Sequence, residues 1–289
     1  MSSGRWQQNG ERMRWLLLAF LLARTANAQY FQPVEPRLVV STARVEAGKP
    51  FLIGVLFQIQ RGWHVYWHNP GDAGLPTSVR WTLPDGFSAG PLRWPVPERF
   101  EQPGGVVGYG YGDALLLSAM VTPPASLTPN APVPLRVDAG WLACEKLCLR
   151  GKKTLELTLG PGGAMDDQAL FAQWATKLPS EAGAGSSPVA LAARGGVPRD
   201  GQTGTVTVTL DWKEAPRTVD WFPPSDPALD VEEARSQTDG SRTQLTFRAK
   251  RLSGEEPAST TLDSVVAYTD ARGVRHGVRV PISLDEKET

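Results

Sequence analysis

Apolar and polar residues alternate through most of the chain from residue 37 onward, the period of strands buried on one face. RLVVSTARVEAGKPFLIGVLFQIQ (37–60) predicts two strands joined at Glu46-Ala47-Gly48. GWHVYWHNPGDAGLP (62–76) predicts a short aromatic strand closed by an Asn-Pro-Gly-Asp turn. Further strands are predicted over SVRWTL (78–83), GPLRWPV (90–96), ALLLSAMVT (114–122), VPLRVDAGWLA (133–143) and KKTLELTLG (152–160). Between the second and third of these, ERFEQPGGVVGYGYGD (98–113) reads as a glycine-rich loop carrying Tyr109 and Tyr111. No helical periodicity of useful length precedes residue 160.

Residues 160–188 break the pattern. A Gly-Pro-Gly-Gly opening (160–163) leads to Asp166-Asp167, an N-cap for a short helix over QALFAQWATKL that ends before Pro179. Leu170, Phe171 and Trp174 form its docking face, and a Gly/Ala/Ser run (182–187) follows. Strands then resume at 205–212, 218–222, 242–252, 260–271 and 274–284, the last two joined by an Asp270-Ala271-Arg272-Gly273 turn. The predicted class is all-β: two antiparallel sandwiches, 35–160 and a smaller 189–289, across a 161–188 linker with one short helix.

The N-terminus changes the picture of where the protein works. Arg12 and Arg14 precede an apolar run from Trp15 to Ala23, and Ala26-Asn27-Ala28 gives a small-x-small cleavage pattern. Residues 1–28 are therefore expected to be a signal peptide cleaved after Ala28, with the processed chain exported to the periplasm and not membrane-spanning. Thirty basic and thirty acidic residues leave no net charge, which argues against nucleic acid as a partner.

The two cysteines, Cys144 and Cys148, stand three residues apart between two predicted strands. A hairpin with Glu145-Lys146-Leu147 as its loop places them at its neck, within reach of a disulfide. A ring that small stabilises a fold by only about 2 kcal/mol. A chain of 289 residues buries large cores without such help. Exchange chemistry is thus one reading of the pair, and a structural bond in a binding or scaffold module is the other. Lys146, Arg150, Lys152 and Lys153 surround or follow Cys148, whereas Glu145 adjoins Cys144, so Cys148 is the better nucleophile on local charge.

Other chemistries have less to stand on. A metal site built from the pair with His64 or His68 is a third reading. The two histidines are about 13 Å apart along an extended strand, so they do not chelate one ion together. With three histidines and no Gly-x-Ser-x-Gly, no serine triad is visible, and no phosphate-binding loop is present. No cofactor and no metal are expected. The ten tryptophans fall mostly in predicted strands, where packing explains them.

GWHVYWHNPGDAGLP, VVGYGYGD and WLACEKLCL together resemble the N-terminal periplasmic region of DsbD-type thiol:disulfide interchange proteins, in particular the ScsB-like branch associated with suppression of copper sensitivity. The resemblance covers residues 35–160 well and the second half loosely. It implies an immunoglobulin-like sandwich whose cysteine pair, Cys144 and Cys148, relays electrons. The implied donor is a membrane-embedded thiol reductase acting through a thioredoxin-like domain, and the implied acceptors are periplasmic thiol proteins. The second cysteine, Cys148, is implied to form the mixed disulfide with partners. It further implies a capping loop at Gly108-Tyr109-Gly110-Tyr111, with His64 and Tyr66 as aromatic neighbours of the site. Two departures stand out: a spacing of three residues between the cysteines instead of five, and Val106-Val107-Gly108 where acidic residues precede the cap. The 289 residues hold no Cys-x-x-Cys motif, so a separate protein is expected to donate electrons.

Overall fold

The computed structural model describes residues 31–283 except 103, 129–130, 161–165, 183–186, 195–202, 227 and 253–260. The predicted signal peptide, most of the Gly-Pro-Gly-Gly opening and most of the 182–187 run lie outside the described residues.

Among the described residues, ten strands precede the helix: β1 Val34–Val40, β2 Phe51–Ile59, β3 His64–Gly71, β4 Ser78–Thr82, β5 Ser88–Ala89, β6 Glu98–Gln102, β7 Val106–Gly112, β8 Ala114–Thr122, β9 Val133–Cys144 and β10 Cys148–Leu159. They form two sheets, ordered β1-β2-β8-β5 and β10-β9-β3-β7-β6, with β4 also paired to β9. All strand pairs in both are antiparallel. β9 shows why the sheets stack: Val133, Leu135, Val137, Ala139, Trp141 and Ala143 are buried, whereas Pro134, Arg136 and Asp138 between them are exposed. That inner row meets Ile53, Val55, Phe57, Leu115 and Leu117 of the facing sheet in one apolar core. The result is nearly all-β and sandwich-like.

The helix α1 (Gln168–Ala175) lies on the outer side of the first sheet, burying Phe171 and Trp174 against Val39, Leu56 and Leu116. Asp167 ties it down: its backbone N–H donates to Val40 O (2.9 Å), and its carboxylate pairs with Arg37 at 3.1 Å.

Among the described residues, eight further strands follow: β11 Ser180–Glu181, β12 Val189–Arg194, β13 Thr203–Trp212, β14 Thr218–Phe222, β15 Leu229–Asp239, β16 Arg242–Arg251, β17 Thr261–Thr269 and β18 Arg275–Ser283. They make the sheets β11-β18-β17-β14 and β12-β13-β16-β15 around a second core containing Val208, Leu210, Leu245, Phe247 and Val280. Among the described residues, no sheet mixes strands from before and after the helix. The two halves nevertheless share apolar contacts. Phe222, Val265 and Ala267 belong to the first core, and Phe222 meets the rings of Trp67 and Tyr109. Buried Asn69 donates to Pro223 O at 2.9 Å, Arg275 donates to Pro97 O at 2.7 Å, and Val96 N–H donates to Lys177 O at 2.9 Å.

Three local expectations need correction. GPLRWPV (90–96) is no strand: only an isolated bridge, Arg93 to Ser118, forms there. Pro91 and Pro95 remove ladder donors from that stretch. The aromatic strand does not close at Asn69; β3 runs on to Gly71, with its register against β7 shifted between Tyr66 and Gly71. Finally, 98–113 is not a loop but the β6–β7 hairpin, registered from Glu98↔Gly110 to Gln102↔Val106. Its glycines let strands approach closely: a Cβ on Gly110 would collide with the carbonyl oxygen of Val65.

Candidate functional site

Cys144 ends β9 and Cys148 begins β10 in direct register, and a disulfide joins them with Cα atoms 4.1 Å apart. Glu145 N–H donates to Leu147 O at 3.1 Å and closes the three-residue turn. The two halves of the bond live in different surroundings. Cys144 is buried, whereas Cys148 and the tip residues Glu145, Lys146 and Leu147 are exposed.

Register carries the site across the sheet. Cys148 pairs with Cys144, Cys144 with His64, and His64 with Gly112, which makes one row over four strands. The next row sets Tyr66 beside Gly110 and Glu98, and the one after sets Gly108 beside Phe100. Paired residues in a sheet point to the same face. Cys144, His64, Tyr66 and Phe100 therefore share the outer face. Gly108, Gly110 and Gly112 leave that face bare between them.

The aromatic groups fill the bare strip. Phe100 stacks on His64 (centroids 4.6 Å, planes 15° apart), and Tyr66 meets His64 edge-on at 5.2 Å. Gln102 Nε2 donates to Tyr66 Oη at 3.2 Å. Burial pushes the His64 pKa below the ordinary histidine value. At the far side of the hairpin tip the Glu145 carboxylate turns onto Gly62, just before β3. Arg150 and Lys152 share the face of Cys148 on β10 by alternation, and Lys153 takes the other. All three are exposed, so solvent screens their effect on the sulfur.

His64 thus stands in the cysteine row, and Tyr66 lies on the same face one row away. Tyr109 and Tyr111 are not, which corrects the expected cap. Tyr111 pairs with Val65 on the inner face, is buried in the core, and donates its hydroxyl to Pro95 O at 2.8 Å. Burial raises its pKa well above the usual tyrosine value. Tyr109 packs edge-on against Phe222 of the second half, 5.3 Å between centroids. The aromatic residue of this hairpin that reaches the site face is Phe100, stacked on His64 and missed because its segment read as loop. The signal was present. Glycines at 108, 110 and 112 recur with period two, as on one bare face of a strand, and Phe100 alternates with charged neighbours.

His68 does not join the row. It packs against Trp67 and Trp94, with centroids 3.7 and 5.6 Å away. Burial first, and then Arg279 of the second half, lowers its pKa to about 4.

Residues 29–160 match the family described as thiol:disulfide interchange protein DsbD, N-terminal. Among solved structures, the N-terminal periplasmic domain of ScsB from Proteus mirabilis is similar, with a TM-score of 0.62 at 18% identity over 88% of this chain and 95% of that one. At that identity the likeness speaks of fold, and its coverage extends to both halves. The conserved domain protein from Bacillus anthracis aligns over 89% of each chain at 11% identity, but its TM-score of 0.24 supports no argument. No curated protein matches the sequence.

Proposed function

Because residues 29–160 carry the N-terminal module of DsbD-type thiol:disulfide interchange proteins, we propose that this chain relays electrons in the periplasm through Cys144 and Cys148. The observation that supports this most is the asymmetry of the bond, with Cys148 exposed at a hairpin tip and Cys144 buried beside His64.

In the loading step a thiolate of a thioredoxin-like donor attacks Cys148 Sγ. The Cys144–Cys148 bond breaks, and Cys144 leaves with the electron pair and is protonated. The donor's second thiol then releases Cys148, so the donor becomes a disulfide and this chain a dithiol. In the unloading step the Cys148 thiolate attacks the disulfide of a periplasmic acceptor and expels one acceptor thiolate. Cys144 next attacks Cys148, expels the other, and restores the bond. Two electrons and two protons pass in each cycle. A membrane-embedded thiol reductase is the proposed ultimate donor, and residues 1–28 are the proposed export signal.

The test is trapping in the exported compartment. A Cys144→Ala variant retains the exposed sulfur without its resolving partner and is expected to accumulate mixed disulfides on a non-reducing gel. Cys148→Ala is expected to trap far less. If neither variant forms adducts while the native pair stays fully oxidised, the bond is structural and the relay reading fails.

A further inference from the structure

His64 is nine-tenths buried, and its Nε2 has no hydrogen-bond partner among the described residues. A buried polar atom left unpaired destabilises the fold, so its retention calls for a partner in another state of the molecule. Cys144 supplies that partner. In the oxidised protein its sulfur carries no proton. Once the bond opens, Cys144 becomes a buried thiol, the register neighbour of His64 on the same face. Side chains so placed have Cβ atoms about 4.5–5.5 Å apart, within reach of an imidazole.

We propose that His64 Nε2 accepts the Cys144 thiol proton when Cys144 resolves a mixed disulfide, and returns it when Cys144 is the leaving group. This rests on the exchange reading above. The chemical need is clear. Burial disfavours the thiolate of Cys144, and exposed cations on β10 sit by Cys148 instead. In the resolving step the Cys144 S–H bond breaks and its proton passes to Nε2. The sulfur's electron pair attacks Cys148 Sγ, the bond from Cys148 to the partner breaks, and the partner leaves as a thiolate. The imidazolium then gives its proton to that thiolate or to water, so no outside oxidant is involved.

A proton acceptor must be neutral, with its own proton on Nδ1. Burial favours the neutral ring by lowering its pKa. The faces packed against it carry Tyr66, Cys144, Phe100 and Gly112. The charged groups nearest in sequence or register are Arg61 before β3, Glu145 on the hairpin, Glu98 on β6 and Asp113 after β7, all exposed.

The experiment uses the reduced full chain and a chromogenic aromatic disulfide, dithiobis-nitrobenzoate, in stopped flow. The first chromophore released reports attack by Cys148, and the second reports resolution by Cys144. Cys144→Ala assigns the phases by abolishing the second. His64→Phe and His64→Gln are each expected to slow the second phase about a hundredfold near neutral pH, the low end of acid–base contributions. The first phase should not change, and the deficit should close at alkaline pH as Cys144 ionises unaided. Second-phase rates like the wild type in both variants would overturn the proposal. So would a slow Phe variant beside a fast Gln variant, which would make the role one of packing. The probe needs no biological partner, so failed trapping leaves this result standing. A wild type that releases no chromophore would overturn both readings. Circular dichroism of each variant checks the fold.

Discussion

Phe100 lies nearly flat against His64, with ring centroids 4.6 Å apart, on the sheet face that also carries Cys144. It is half-buried and borne by a hairpin strand at the sheet's edge. Phe100→Ala is therefore expected to speed reduction of the disulfide by glutathione several-fold. Tyr111→Phe should leave that rate unchanged and remove only the hydrogen bond to Pro95, worth about 1 kcal/mol. Pseudo-first-order reduction rates of the three proteins decide the matter. An effect from Tyr111 and none from Phe100 would return the shield to the tyrosines.

Phe222 comes from the second half but sits in the first core, against Trp67 and Tyr109. Phe222→Ala should cost about 3–5 kcal/mol, and the destabilisation should reach both halves. Urea unfolding followed by tryptophan fluorescence and by circular dichroism is expected to give one coincident transition. Two separated transitions would mean that the shared contacts do not couple the halves.

The half-buried imidazole of His68, with its pKa lowered to about 4, makes stability depend on pH. Unfolded, the ring takes up a proton near pH 6.5. Folded, it resists protonation until about pH 4. Between those values the unfolded chain binds more protons, so His68 favours the fold above the window and its contribution is lost as pH falls through it. The loss is on the order of 2–3 kcal/mol. Melting temperatures from pH 7 down to 4 should fall more steeply in the wild type than in His68→Gln. Parallel curves would refute the assignment.

Gly110 has no room for a side chain beside the Val65 carbonyl, whereas Gly104 has open space around it but a φ of +88°. Gly110→Ala is expected to destabilise by about 3 kcal/mol through overpacking and to disturb the row that holds His64 beside Cys144. Gly104→Ala should cost about 1 kcal/mol from backbone strain alone. Chemical denaturation of both variants measures the difference. Equal costs would show that β7 tolerates the added methyl by shifting.

Local pattern accounts for much of this molecule. Alternation at 133–143 and 152–160 marked both strands of the cysteine hairpin, and Asp167 before an apolar stripe marked the helix start. Where the sequence misled, the reasons were also local. β15 reads LDVEEARSQTD and was missed because an edge strand exposed at every position from Glu232 to Asp239 has no buried face there to impose alternation. Pro91 and Pro95 interrupt 90–96, whose apolar residues pack as irregular backbone.

The sequence by itself determined that Cys144 and Cys148 face each other, since a three-residue turn between strands allows little else. Only the tertiary structure decided what surrounds them. Period two says that Tyr109 and Tyr111 share a face and that His64 and Tyr66 share one, but not which face turns to the core. That choice depends on pairing among strands far apart in the chain. Val65 lies opposite Tyr111, and His64 lies between Gly112 and Cys144. A slip of one residue in either pairing would exchange core and site faces. The register that buries Tyr111 is the same one that sets His64 against Cys144.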